Sequence, residues 1–279
     1  MLFYSLWILL YFVISSGRES FSVLIHDILV PSVIQNGSLP FLVLDCHYTL
    51  NHTEKDGMIL KWYLNKRTVY QWIPPNRPQG LGSMRHSLNL DFEISPHPYG
   101  RHRALYLNSP TTELSGNYTC RISTMQNEAS KTKPMVIYEP AKSMSLQIYQ
   151  RPESSNLNIS CLVDHIYPEP LIEIFYQPTT GSQNRERLKG IEERINHYQN
   201  GAWHKVVFVL LAKKLLRFEE NVFECHVTLP GTQYALQRRT VYKTESGNPT
   251  VLASAGSSRL LSQQNILLIL LLILSYWKS

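Results

Sequence analysis

The sequence predicts an all-β chain of two tandem antiparallel sandwiches, and three observations carry that prediction. The four cysteines fall as two pairs, Cys46 with Cys120 and Cys161 with Cys225, all on strand-like segments. Trp62 lies between the first two, and Cys120 closes the run Leu114-Ser115-Gly116-Asn117-Tyr118-Thr119-Cys120. Most of the intervening chain alternates apolar and polar residues in short runs broken by polar or Pro-rich stretches, the period of half-buried strands. A cysteine on strand B, a tryptophan on strand C and a tyrosine two residues before a cysteine on strand F are the core marks of an immunoglobulin variable-type sandwich. There the cysteines bridge the two sheets, the indole packs on the bridge, and the Tyr118 hydroxyl returns to the backbone as a tyrosine corner.

A chain of 279 residues can hold two domains, each with its own core. The expected division is 1–17, a signal peptide; 18–140, a variable-type immunoglobulin-like domain; 141–244, a constant-type immunoglobulin-like domain; 245–265, a stalk; and 266–279, a hydrophobic C-terminal signal. Four cysteines allow three connectivities, and the repeat of one pattern in both halves favours pairing within each half. No CxxC or Cys/His cluster points to zinc, so the thiols read as structural disulfides in an oxidising compartment.

At the start, Leu2 to Ile14 is an apolar run of signal-peptide length, followed by the small residues Ser15-Ser16-Gly17 before Arg18. The run is too short to span a bilayer, which disfavours an N-terminal membrane anchor. Within the first domain, Ser22–Asp27 and Ser32–Ile34 make a split first strand, with Val30-Pro31 as the break. Strand B puts Leu42, Leu44 and Cys46 inward and Val43 and Asp45 outward. Strand C puts Leu60, Trp62 and Leu64 inward and Lys61 and Tyr63 on the outer face. Thr68-Val69-Tyr70-Gln71-Trp72-Ile73, stopped by Pro74-Pro75, reads as strand C′, the feature of a variable-type domain. Leu88, Leu90 and Phe92 share a face, and Ala104–Leu107 reads as strand E. Strand F turns Tyr118, Cys120 and Ile122 inward and Asn117, Thr119 and Arg121 outward, and Lys133–Tyr138 closes the domain as strand G.

The second half repeats the plan with altered parts. Leu157, Ile159, Cys161 and Val163 alternate inward on strand B, leaving Asn158 and Ser160 outside. His165–Pro170 is a turn, and Leu171–Tyr176 is strand C without the core tryptophan. Ile174, or Phe175 in the shifted register, must fill that place. Val206–Leu211 reads as strand E. Phe223 holds the corner position, so the corner hydroxyl bond is lost, and Tyr234–Tyr242 supplies the last strand.

After Tyr242 the chain turns to Ser, Gly, Asn, Pro and Ala, with nothing to bury. It ends in Ile266–Leu274, an apolar run of nine, far short of the roughly 20 residues a spanning helix needs. Small residues, a polar spacer and a hydrophobic tail form a glycolipid-anchor signal, with Ser254, Ala255 or Gly256 as the attachment site. The alternative, a marginal transmembrane helix from Leu260 to Trp277, would carry Ser262-Gln263-Gln264-Asn265 into lipid. Four Asn-x-Ser/Thr sequons, at Asn36, Asn51, Asn117 and Asn158, are candidate glycan sites in a secreted chain.

Enzymatic chemistry has no support. The ten histidines are scattered, no nucleophile–base or paired-carboxylate arrangement falls on neighbouring strand ends, and no Gly-rich phosphate loop implies a cofactor. The net charge of +6 is spread over Arg101-His102-Arg103, Lys131 with Lys133, Lys213-Lys214 and Arg238-Arg239. These clusters read as solvated surface, with a sulfated-glycan site as the alternative, and a secreted chain does not meet intracellular nucleic acid.

The first domain carries Val30-Pro31-x-Val33 with Gly37, Leu44-x-Cys46-x-Tyr48 and Leu60-Lys61-Trp62-Tyr63. The set continues through Val69-Tyr70-Gln71-Trp72-Ile73-Pro74 with Pro78, Ser115-Gly116-x-Tyr118-x-Cys120 leading to Ser123, and Met135-Val136 with Pro140. In these residues it resembles the beaten path family of insect neuronal adhesion proteins. The resemblance covers most of Phe21–Pro140 and weakens over the second domain. Thr68-Val69 stands where the family pattern has an acidic-aromatic start to C′, Arg121 stands where it has an acidic residue, and the second domain lacks its tryptophan, changes that fall where partner choice would be set. The resemblance implies heterophilic binding of a Sidestep-like immunoglobulin-superfamily receptor, in axon guidance or synaptic partner choice in the nervous system.

The residues alone lead to a binding face as well. The outer face of the C–C′–F–G sheet offers Lys61, Tyr63, Arg121 and some of Tyr70, Gln71 and Trp72, and aromatics and arginine are what interface cores favour. Partial burial of Trp72 is the competing expectation. The sequence thus points to a cell-surface adhesion protein on the outer face of the plasma membrane, with a secreted ligand or co-receptor regulator of the same fold as the alternative.

Overall fold

The computed structural model describes residues 23–51, 54–178, 185–190, 192–216 and 218–244, and the backbone of 251–253. The expected signal peptide, the rest of the stalk, the anchor candidates Ser254, Ala255 and Gly256, and the C-terminal run lie outside them. Contacts divide the chain into two compact units, one built on Gly37–Met135 and the strand before it, the other on Val33–Asn36 and the chain from Val136 onward.

Nine strands come first: β1 (Leu24–Leu29), β2 (Val33–Gln35), β3 (Phe41–Thr49), β4 (Ile59–Leu64), β5 (Arg67–Trp72), β6 (Gln79–Gly80), β7 (Leu105–Asn108), β8 (Gly116–Ser123) and β9 (Glu128–Tyr138). They form a three-stranded sheet, β1-β3-β7, and a six-stranded sheet, β2-β9-β8-β4-β5-β6. The break at Val30-Pro31 lets the first strand change sheets: β1 pairs antiparallel with β3, and β2 runs parallel to β9. Cys46 and Cys120 bridge the two sheets with Cα atoms 6.3 Å apart. Trp62 stands opposite Cys120 in register and is fully buried. The Tyr118 hydroxyl donates to the Leu114 carbonyl at 2.8 Å, closing the tyrosine corner, and burial raises the pKa of that phenol. At the open edge between the sheets, Lys131 donates to the His26 carbonyl at 2.6 Å and Lys133 to Asp27 at 3.0 Å. Inward-pointing charges of this kind blunt a sheet edge.

The run Leu88–Phe92 does not form a strand. A 3-10 helix, Gly82–Ser87, leads into a single bridge between Leu88 and Leu107. The segment beyond is clamped from below: Trp62 Nε1 donates to the Arg103 carbonyl at 3.0 Å, the Tyr70 hydroxyl to the His102 carbonyl at 2.8 Å, and the Tyr48 hydroxyl to the Tyr99 carbonyl. Asp45, expected on the outer face by alternation, is buried there because Arg103 folds over it, donating through Nε and Nη2 at 2.8 and 2.9 Å.

The second set comprises β10 (Ser143–Gln150), β11 (Asn156–Ile166), β12 (Leu171–Gln177), β13 (Glu186–Leu188), β14 (Glu192–His197), β15 (Trp203–Ala212), β16 (Glu220–Thr228), β17 (Ala235–Lys243) and β18 (Val251–Ala253). Its sheets run β10-β11-β15-β14 and β13-β12-β16-β17-β18. Cys161 and Cys225 bridge them with Cα atoms 6.2 Å apart. Ile174 stands opposite Cys225 and is buried, so it fills the tryptophan's place, while Phe175 faces outward beneath the Arg185 guanidinium, 3.6 Å from its ring centroid. Phe223 cannot make a corner bond, but the Tyr176 hydroxyl donates to Asn221 at 2.9 Å within the same core.

Candidate functional site

The outer face of β6-β5-β4-β8-β9 is built row by row from residues directly opposite one another, which share a face of the sheet. One row crosses all five strands: Gln79 opposite Gln71, Gln71 opposite Lys61, Lys61 opposite Arg121, and Arg121 opposite Ser130. The next runs from Thr68 through Tyr63 and Thr119 to Thr132, and a third links Ile59, Ser123 and Glu128. Lys61, Tyr63, Gln71 and Arg121 are all partly exposed.

Arg121 is held in place on this face. Its Nη2 donates to Glu128 Oε2, and the Ser123 hydroxyl donates to the same oxygen at 3.2 Å. The hydrogen bond to Glu128 is the main reason the guanidinium pKa is raised, with a smaller contribution from the Tyr63 hydroxyl. The same bond lowers the Glu128 pKa. Thr119 and Thr132 share a hydroxyl–hydroxyl bond of 2.7 Å beside Tyr63.

Two of the expected contact residues are not there. Tyr70 and Trp72 are each only 2% exposed. The cause is register: Trp62 pairs with Tyr70 and Leu60 with Trp72, but Tyr63 pairs with Thr68, so Val69 is an extra residue on β5. That bulge turns Tyr70 and Trp72 inward with the core residues they oppose. Inside, Trp72 Nε1 donates to the Asn76 carbonyl at 3.1 Å and its ring meets His102 edge-on at 5.5 Å. Conversely, Glu128, Ser130 and Thr132 belong to the face although strand G was expected to begin only at Lys133. Glu128-Ala129-Ser130-Lys131-Thr132 has no apolar alternation, so the sequence carries no signal that the strand begins there.

The sequons differ in setting. Asn117 is exposed on this same sheet, opposite Pro134. The Asn36 amide donates to Glu139, Asn51 is exposed, and Asn158 faces outward from β11. Several residues of the basic clusters are paired with a carboxylate. Arg101 and His102 lie 3.5 and 3.8 Å from Glu93, Arg103 is paired with Asp45, Lys131 and Lys133 with Asp27, and Arg239 lies 3.7 Å from Glu224. Among the described residues, no helix is long and apolar enough to cross a membrane, and no group of three His, Cys, Asp or Glu could hold a metal ion.

The architecture is that of two tandem immunoglobulin-like sandwiches, variable-type and then constant-type, each with its inter-sheet disulfide. Among solved structures, the chain is similar to bovine butyrophilin, with a TM-score of 0.57 and 14% sequence identity over 84% of this chain and 99% of that one. No protein-family model and no curated protein sequence matches it.

Proposed function

We propose that this is a cell-surface recognition protein that binds another immunoglobulin-superfamily receptor heterophilically through the outer face of β6-β5-β4-β8-β9. The observation that carries this reading is the row Gln71–Lys61–Arg121 beside Tyr63, with Arg121 fixed by Glu128. Tyrosine and arginine dominate binding energy at interface centres. A guanidinium already held in position also loses less rotamer freedom on binding. With Tyr70 and Trp72 inside, the contact set narrows to Lys61, Tyr63, Gln71 and Arg121.

The finer identity belongs to the same proposal. It rests on the sequence resemblance for a Sidestep-like partner in axon guidance or synaptic partner choice, and on the C-terminal pattern for a glycolipid anchor at Ser254, Ala255 or Gly256. A glycan on Asn117 would cover the end of the sheet where β8 begins and direct the partner toward the Arg121 row and β5. The test is a binding screen of the extracellular part against extracellular domains from the same animal. A Sidestep-like receptor among the hits supports the reading. Retention on heparin alone, lost with salt, would favour sulfated glycans instead.

A further inference from the structure

The outer face of β10-β11-β15-β14 carries an apolar stripe that the sandwich core does not use. Val207, Val209 and Leu211 point into the core, so Val206, Phe208 and Leu210 project outward from β15. One end of the stripe is covered: Val206 is buried, and the Arg194 guanidinium, paired with Glu192 at 2.7 Å, lies 5.0 Å from the Phe208 ring centroid. The other end is open. Leu210 and Tyr149 are each 44% exposed. Asn158 stands between them, directly opposite Tyr149 on β10 and Leu210 on β15. It begins the sequon Asn158-Ile159-Ser160.

We infer that Asn158 carries an N-linked glycan whose first N-acetylglucosamine is seated on Tyr149 and Leu210. Directly opposed residues have Cβ atoms about 4.5–5.5 Å apart, so a sugar on Asn158 Nδ2 leaves the sheet between an aromatic ring and an isobutyl group. The C–H face of the pyranose stacks on the tyrosine, and the acetamide methyl covers the leucine. In the attachment step, the Nδ2–C1 bond forms as the C1–oxygen bond to a lipid diphosphate breaks. The diphosphate leaves and one amide proton is lost to solvent. Among the described residues no hydrogen bond engages the Asn158 side chain, whereas the Asn36 amide donates to Glu139. The inference rests on the secretory routing of the proposed function.

The test uses the full chain from a secretory cell line, with glycopeptides mapped by mass spectrometry. Thermal unfolding is then compared for the parent, Asn158→Gln, Tyr149→Ala and the double variant. Asn158 should be occupied. Asn158→Gln should lower the second-domain midpoint by about 4 °C in the parent and by about 1 °C or less in the Tyr149→Ala background. Trimming the glycan to a single N-acetylglucosamine should leave the midpoint unchanged. Glycans at the other sequons with Asn158 bare overturn this inference alone, and four bare sequons overturn the secretory reading with it. Equal effects of Asn158→Gln in both backgrounds overturn the seat. Loss of self-association on Tyr149→Ala in a chain bare at Asn158 gives the patch to a protein partner and overturns it too.

Discussion

Arg103→Met is expected to destabilise the first sandwich by about 3 kcal/mol. Asp45 is 4% exposed, and both of its oxygens accept from the Arg103 guanidinium. His47 Nε2 also lies 2.8 Å from Oδ2, so the carboxylate keeps one polar neighbour when the guanidinium is removed. Removing one partner of a buried pair costs about 3–5 kcal/mol. The Arg103 side chain is itself 23% exposed, so water can reach the carboxylate once it is gone, and the low end of that range applies. In a domain of this size the shift corresponds to roughly 12 °C in Tm. Methionine preserves the main-chain carbonyl that accepts from Trp62 Nε1, so the substitution isolates the ion pair. Adding Asp45→Val should recover most of the loss, because a buried pair replaced whole by apolar groups is often neutral. Urea unfolding of the purified single and double variants reads both values. A single variant within about 1 kcal/mol of the parent, or a double variant no better than the single, would refute the reasoning.

Three further outcomes follow from the same structure. Cys46→Ala opens a loop with a sequence separation of 74, worth on the order of 4 kcal/mol in the chain-entropy view, and should abolish secretion; normal secretion would contradict it. Trp72→Ala should cost about 3–5 kcal/mol of stability as a core truncation, so a well-secreted Trp72→Ala chain that has lost only partner binding would contradict its burial. Phosphatidylinositol-specific phospholipase should release the chain from cells, and retention with Lys278-Ser279 still detectable by mass spectrometry would reject the lipid anchor.

The sandwich was legible wherever one residue's role depends on local spacing. Cys46, Trp62, Tyr118 and Cys120 each occupy a position that alternation within a single strand sets, and the structure has them there. Legibility failed where a second segment decides. Val69 shifts β5 by one residue, and a one-residue slip exchanges the two faces, so Tyr70 and Trp72 look exposable in the sequence and are not. Asp45 alternates outward, and only the distant Arg103 buries it. The choice between Ile174 and Phe175 needed the pairing of β12 with β16. On the candidate face, Lys61, Tyr63 and Arg121 were readable because strands C and F each carry a core mark that fixes their parity. Glu128 was not, because the hairpin between β8 and β9 extends through polar residues that carry no apolar rhythm.

The most direct measurement is the affinity of the first-domain face for its receptor in well-secreted Tyr63→Ala and Arg121→Glu chains. Arg121→Glu would also set a second carboxylate against Glu128, removing the preset donor. Each substitution should weaken binding by more than about 1 kcal/mol without altering secretion, as expected of residues at an interface centre. Normal affinity in both variants would place the contact elsewhere on the molecule and contradict the proposed role of this sheet.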